Sequence, residues 1–280
     1  MSAWVTRTKT ALITGAAGGL GRATVERLGA GGWRVFATDL PGPRLDALGG
    51  ADELIPLAMD VAERASVEAC RETVAAREGG LDAIVNFAGV LEVGAMIELE
   101  EATYARLLDV NLLGTFRVNQ VFFPLVQARG GRIVNLSSET GWQSGAPFNG
   151  AYASSKHAIE AYTDSLRREL MFLGVPVIKI QPGPFRTEMV ASIEARFAQL
   201  ARTSEHFGAL LETVGALTAS EARKAHDPAL VADAVWKALS TTRPRAAYSV
   251  KPDPTRSLLD RLPIAAADRV LHLALTRLRR

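Results

Sequence analysis

The chain has 280 residues, 48% hydrophobic and 22% charged, with a formal net charge of +2 at neutral pH. That length can enclose one sizeable core, and the charge balance points to neither nucleic acid nor disorder. The single cysteine, Cys70, excludes an internal disulfide and a cysteine-built zinc centre, and is expected to be a small buried apolar residue. No apolar run approaches the roughly 18 residues of a membrane span, and the start from Met1 to Lys9 lacks the apolar stretch of a secretion signal. The expectation is a cytoplasmic enzyme with no transmembrane segment.

The first apolar run, Ala11-Leu12-Ile13, reads as a strand buried on both faces. Thr14-Gly15-Ala16-Ala17-Gly18-Gly19-Leu20-Gly21 follows it at once and opens a helix over about 19 to 30. Glycines there let the backbone turn tightly and approach a pyrophosphate, and the free amides and positive dipole of a helix N-terminus favour its charge. Gly15, Ala17, Gly18, Gly19, Leu20 and Gly21 are therefore candidate cofactor contacts. The second strand, Arg34-Val35-Phe36-Ala37-Thr38-Asp39, ends 18 residues beyond Gly21, with Leu40 next. A carboxylate at Asp39 accepts from a ribose 2′-hydroxyl and repels a 2′-phosphate, which favours NAD(H) over NADP(H). Two facts weigh the other way. Asp39 also suits a turn before Pro41, and an arginine at Arg44, swung inward, would tolerate the phosphate.

Further apolar runs follow at Leu54-Ile55-Pro56-Leu57, Ala83-Ile84-Val85, Arg132-Ile133-Val134-Asn135-Leu136 and Val175-Pro176-Val177-Ile178-Lys179-Ile180, and all read as doubly buried strands. Helical patterns over about 63 to 77, 100 to 127 and 151 to 173 alternate with them. The alternation predicts an α/β fold, a doubly wound parallel sheet with helices on both faces. Residues 184 to 227 break this rhythm with a helical pattern whose apolar face carries Met189, Ile193 and Phe197. Placed beyond the strand ends, the insertion reads equally as a substrate lid or as an extra packing helix. A helix near 228 to 240 and a short strand near 246 to 250 complete one unit over 1 to 250. The extension, 251 to 280, sets Leu258, Leu259, Leu262, Ile264, Val270, Leu271, Leu275 and Leu278 among arginines, an amphipathic basic helix suited to subunit packing or to peripheral membrane contact.

Tyr152 and Lys156 stand four apart in a helical pattern, which puts a phenol and an ammonium on one face. A free tyrosine has a pKa of about 10, so service as a base near neutrality needs about 4 kcal/mol of differential stabilisation, and a nearby cation favours the phenolate. Taken alone, the pair also fits an ordinary surface helix.

The pattern TGxxxGxG, with Tyr-x-x-x-Lys far downstream, resembles the short-chain dehydrogenase/reductase family, whose members share one Rossmann domain of about this length. The resemblance covers residues 9 to about 190, more loosely to 250. It implies that Asp60-Val61 contacts the adenine and that Asn86-Phe87-Ala88-Gly89, through Asn86, Ala88 and Gly89, steadies the sheet and lines the cofactor; Phe87 departs from the usual second asparagine. Asn111 falls where the family keeps an asparagine supporting a water-mediated proton path to the lysine. Ser138 falls where a serine polarises the substrate oxygen, with Ser137 in reserve, because Ser138 precedes Tyr152 by 14 residues, one more than the commoner spacing, so the loop through Trp142 and Phe148 is expected to bulge. Pro182-Gly183-Pro184-Phe185-Arg186-Thr187 resembles the family's Pro-Gly turn, which implies that Thr187 meets the nicotinamide carboxamide and that Pro182, Gly183 and Phe185 line the same end.

By these implied roles Tyr152 exchanges the substrate proton, Lys156 lowers its pKa and holds the nicotinamide ribose, and Asn111 and Ser138 complete the catalytic set. Phe87, Leu91, Val93, Trp142, Phe148, Phe185 and Met189 suggest an apolar pocket. The stretch Gly145-Ala146-Pro147-Phe148-Asn149 resembles steroid- and retinol-dehydrogenase-like members, which implies a hydrophobic secondary alcohol or ketone. The family also implies a homodimer or homotetramer through the helices at 100 to 127 and 151 to 173. A catalytically silent NAD(H)-binding sensor would keep the glycine turn and Asp39 but needs none of Ser138, Tyr152 and Lys156. A methyltransferase leaves the Tyr152 helix and the Pro182-Gly183 turn unexplained, and an epimerase or dehydratase usually needs a longer chain.

Overall fold

The computed structural model describes residues 7–49 and 52–278, so the opening residues on which the secretion-signal reading rests, and the last two of the extension, lie outside the described residues. Seven strands, β1 (Thr10–Thr14), β2 (Arg34–Asp39), β3 (Leu54–Ala58), β4 (Ala83–Asn86), β5 (Arg132–Leu136), β6 (Val177–Pro182) and β7 (Ala247–Val250), form one sheet. Their order is β3-β2-β1-β4-β5-β6-β7 and every neighbouring pair is parallel. The helices are α1 (Gly19–Ala30), α2 (Pro43–Asp46), α3 (Arg64–Arg77), α4 (Glu101–Leu108), α5 (Thr115–Arg129), α6 (Gly150–Leu170), α7 (Glu188–Ala191), α8 (Ile193–Thr203), α9 (Gly208–Ala222), α10 (Ala229–Ser240), α11 (Pro254–Leu259) and α12 (Ile264–Leu278).

Side chains alternate across each strand, so a run buried on both faces feeds two cores. On one face Ala11, Ile13, Val35, Ala37, Val85 and Val134 pack with Val25 and Leu28 of α1 and Val231 and Val235 of α10. On the other, Leu12, Phe36, Ile84 and Ile133 pack with Val67 and Val74 of α3 and Val118 and Phe122 of α5. Cys70 is a free thiol in this second core, where burial pushes its pKa up to about 12. Strand order reverses between β1 and β4, and the carboxyl ends of strands flanking such a reversal open a crevice for ligands.

Four elements differ from expectation. β3 is half-buried, because it is an edge strand, where the missing amide of Pro56 is tolerated. The helix expected over 100 to 127 is broken at Asp109–Gly114 by a π-helical turn containing Asn111. The 184-to-227 insertion is three helices, α7 to α9, rather than one. The extension is two helices, α11 and α12, divided around Pro263. α12 packs on α9 and leaves Ile264, Val270, Leu273 and Leu278 exposed. No helix among the described residues is long and apolar enough to cross a membrane.

Candidate active site

A cleft of about 700 Å³ runs across the carboxyl ends of the strands, and nearly all the sequence-derived site residues line it. Its floor is the turn between β1 and α1. Gly15 has φ +63°, and a Cβ there would lie 2.6 Å from the Ala88 amide nitrogen, so only glycine lets this turn meet the one after β4. A Cβ on Gly21 would strike the Gly15 carbonyl, so Gly21 lets the helix start close against the strand. The Thr14 hydroxyl accepts from the Ala88 amide at 3.1 Å and fastens the two turns. No side chain caps α1 and its first turn holds no acidic residue, which leaves the amides of Gly19, Leu20 and Gly21 to a phosphate. This cradle fits a dinucleotide pyrophosphate.

At the adenosine end Asp39 accepts from the Ala17 amide at 2.9 Å and from the Leu40 amide at 2.8 Å. The carboxylate thereby sets the glycine turn and still has lone pairs for a ribose. Arg44 donates to the Ala17 carbonyl at 2.9 Å and pairs with Glu188 of α7, which ties the two banks of the cleft. Asp60 and Val61 line the same end, the Asp60 carboxylate accepting from the Ala62 amide at 2.9 Å. Ala88, Gly89, Pro182, Gly183, Phe185 and Thr187 line the opposite end.

Tyr152 and Lys156 enter that opposite end from α6, and Leu136, Ser137 and Ser138 enter it from β5. Lys156 is 4% exposed, and its ammonium donates to the Leu136 carbonyl at 3.0 Å. Burial pulls its pKa down to about 8, against the charge of Glu160 one turn further along α6. Burial likewise pushes the Tyr152 phenol up to about 12; the Ser138 hydroxyl opposes this and the Glu139 charge adds to it. Desolvation of the phenolate is the largest cause of this rise. The Ser138 oxygen accepts from the amide and hydroxyl of Thr140 at 3.2 and 3.1 Å, which leaves its own proton free to donate. Ser137 is fully buried and its hydroxyl has no partner among the described residues.

Two named residues stand outside the cleft. Asn86 donates to the side-chain oxygens of Asn119 and Asn135 at 2.7 and 2.9 Å, so it ties β4 to β5 and α5. Asn111 accepts from the Val90 amide at 2.7 Å and donates to the Val90 carbonyl and the Ser155 hydroxyl, each at 3.0 Å. It therefore pins the segment after β4 onto α6, beside Lys156. In the loop ahead of α6, Phe148 has φ +66°, a left-handed conformation that is uncommon for an aromatic residue. The apolar set divides. Phe87, Phe185 and Met189 line the cleft, Leu91, Val93 and Phe148 pack with Phe197 of α8 and Leu211 of α9, and Trp142 is exposed.

Sequence reasoning missed the Leu136 carbonyl, Arg106, Val110 and Glu188. A main-chain oxygen leaves no signal in the sequence, and Glu188 gains its meaning only from a partner far away in the chain.

The family model for short chain dehydrogenase matches residues 9–197. The chain is 40% identical over 190 residues to retinol dehydrogenase 16 of Homo sapiens, a match covering 66% of the chain and 59% of that protein. It is 34% identical over 284 aligned residues to 17-beta-hydroxysteroid dehydrogenase type 6 of Homo sapiens, covering 94% of the chain and 87% of that protein. A solved short-chain dehydrogenase from Streptomyces avermitilis matches with a TM-score of 0.77 at 27% identity, over 97% of this chain and 98% of that one. The span matched by the family model runs from just ahead of β1 into α8 and so takes in the whole floor of the cleft: the chain belongs to the short-chain dehydrogenase family.

Proposed function

We propose that the protein is an NAD(H)-dependent oxidoreductase that interconverts a hydrophobic secondary alcohol and its ketone, with Tyr152 as general acid and base. The observation that carries this reading is the meeting of Tyr152, Lys156 and Ser138 at one end of the cleft whose other end is the glycine cradle with Asp39. The apolar walls at Phe87, Val110, Phe185 and Met189, and the likeness to proteins named for retinol and a hydroxysteroid, support the substrate class.

Gly15 to Gly21 hold the pyrophosphate, Asp39 the adenosine ribose, and Thr187 with Pro182, Gly183 and Phe185 the nicotinamide end. The dinucleotide supplies the hydride acceptor or donor and, when oxidised, a positive ring. In oxidation Ser138 donates to the alcohol oxygen and Tyr152, as phenolate, takes the hydroxyl proton; the carbinol carbon loses its hydride and the ketone forms. Tyr152 begins as a weak acid in its buried site and needs positive charge facing it, from Lys156 and from the cleft, to ionise. In reduction the same phenol returns the proton. Asn111 keeps Lys156's neighbourhood rigid through Val90 and Ser155.

The helices α7 to α9 act as the substrate lid, with α8 and α9 seated on Val93 and Phe148. A second copy packs on the face of α5 and α6, beside the exposed Leu113 of the π-helical turn and Phe116 of α5, and α12 offers further apolar surface to it.

The test follows NADH formation with a panel of retinoid, steroid and simpler hydrophobic alcohols, using the full chain and Tyr152→Phe. Turnover by the wild type, lost in the variant while NADH binding persists, is the expected result. Turnover of no substrate, or near-normal turnover in Tyr152→Phe, would overturn the reading.

A further inference from the structure

The C-terminal extension is fastened to the turn that carries Ser138. Glu139, the next residue, is only 5% exposed although it carries a carboxylate. Its Oε2 accepts from the Asp253 amide at 2.6 Å and its Oε1 lies 3.6 Å from Arg256 Nη1. Arg256 also reaches Glu221 of α9 at 3.3 Å. Two more bonds run alongside: Gln143 donates to the Ser257 hydroxyl at 3.0 Å, and the Ser144 amide donates to the Asp260 carboxylate at 2.7 Å. Asp253 itself caps α11, accepting from the amides of Thr255 and Arg256 at 2.6 and 3.1 Å. Upstream, the Gly183 amide donates to the Val250 carbonyl at 2.9 Å, which anchors the root of the extension beside the nicotinamide end of the cleft.

A buried carboxylate is costly unless it is paired, and a surface loop has no need of one. Here the carboxylate is the joint between two segments more than a hundred residues apart in the chain. On its other side the turn closes through the Gly141 amide, which donates to the Ser138 carbonyl at 3.0 Å, and through the Thr140 amide on the Ser138 hydroxyl.

We propose that Glu139 and Arg256 are positioning residues: through them the segment from Lys251 to Asp260 holds the turn Ser138–Gly141, and with it the Ser138 hydroxyl, in register with Tyr152. The proposal rests on the roles given above to Ser138 and Tyr152. It assigns a task to an extension that the matched span of the family model does not reach.

The joint also has an electrical consequence. The charged and titratable groups facing Glu139 are Asp253 and Arg256 of the extension, Glu221 of α9 and Tyr152 of α6. Burial pushes the Glu139 carboxyl above its ordinary range, while the Asp253 amide and Arg256 pull it back. The Glu139 charge in turn opposes ionisation of Tyr152. Removing that charge therefore moves the ascending limb of alcohol oxidation to lower pH.

Full-length Glu139→Gln, Arg256→Met and Arg256→Lys are compared by kcat against pH and by hydrogen exchange of the amides from Ser138 to Ser144. Arg256→Met should speed exchange at Thr140 and Gly141 about tenfold, and Glu139→Gln should shift the limb downward by about half a unit. Arg256→Lys should restore most of the protection from exchange, with KM for the dinucleotide within about twofold of wild type throughout. Unchanged exchange at Thr140 and Gly141 in Arg256→Met, or a limb unmoved or moved upward in Glu139→Gln, would overturn the joint. If no alcohol is oxidised at all, the proposed activity fails, and the exchange measurement still decides whether the extension holds the turn. If Glu139→Gln does not fold, the two Arg256 variants carry the comparison.

Discussion

The Lys156 ammonium donates to the Leu136 carbonyl at 3.0 Å and stands 5.6 Å from the centre of the Tyr152 ring. The four-residue spacing does place both side chains on one face of α6, but the end of β5 supplies the cation's direct partner. On the proposed reading the lysine acts on the phenol through space, from a site that has stripped both of water. Such an arrangement holds charge where the chemistry needs it and weakens the fold in doing so.

That cost is measurable. An unfolded lysine titrates at 10.5 and the buried Lys156 at about 8, so between those values the unfolded chain binds more protons and stability rises with pH. Below about 8 the full penalty applies, roughly 3 kcal/mol, offset in part by the bond to Leu136. Lys156→Met should therefore be more stable than wild type by about 1–2 kcal/mol at pH 7, with the gain shrinking as pH approaches 10.5, while turnover collapses. Urea melts of both proteins at pH 7 and pH 10 read this directly. A wild type as stable as the variant at pH 7 would contradict the desolvation argument.

On the proposed reading Asp39 has two tasks that one substitution separates. Asp39→Asn keeps an oxygen able to accept from the Ala17 amide, and so the shape of the glycine turn, but removes the charge that repels a 2′-phosphate. Arg44 already leans over this turn and becomes a cation for that phosphate. The ratio of kcat/KM for NAD over NADP should fall at least tenfold, about 1.4 kcal/mol in the difference of transition-state binding, with little change in melting temperature. Steady-state kinetics with both cofactors decide it, and an unchanged ratio would remove Asp39 as the discriminating group.

What the sequence reveals of this protein is what can be read locally. The glycine turn, Asp39 and the Tyr152–Lys156 pair carry their meaning within a few residues and a strand end, and all reach the cleft. Asn86 and Asn111 are visible as unusual residues in the sequence, yet their work depends on Asn119, Asn135, Val90 and Ser155, which only the folded sheet and α6 bring near. The run Leu54-Ile55-Pro56-Leu57 is as apolar as its neighbours, and nothing in the run says that β3 takes the edge; that depends on strand order. Glu139 is the extreme case. It reads as a solvated loop acid until Asp253 and Arg256 close over it.

The register of the catalytic serine is the one local question that spacing leaves open, and packing separates the two candidates. Ser137 has its hydroxyl buried without a partner among the described residues, facing inward where a Cβ on Gly141 would lie 2.5 Å from it. Ser137→Ala removes an unsatisfied polar atom, so stability should hold or rise by up to about 1 kcal/mol and kcat should stay within about twofold. Ser138 sits beside the Tyr152 phenol with a free proton and also accepts from the amide and hydroxyl of Thr140. Ser138→Ala should lower kcat about a hundredfold, as loss of one donor to a developing oxyanion does, and cost about 1 kcal/mol of stability through the lost cap. Because Ser138→Thr retains the hydroxyl, it should recover part of the rate. Parallel kinetics and thermal melts of the three variants settle the register: a large rate loss in Ser137→Ala with little in Ser138→Ala would transfer the role to Ser137 and require the turn Glu139–Gly141 to repack when substrate binds.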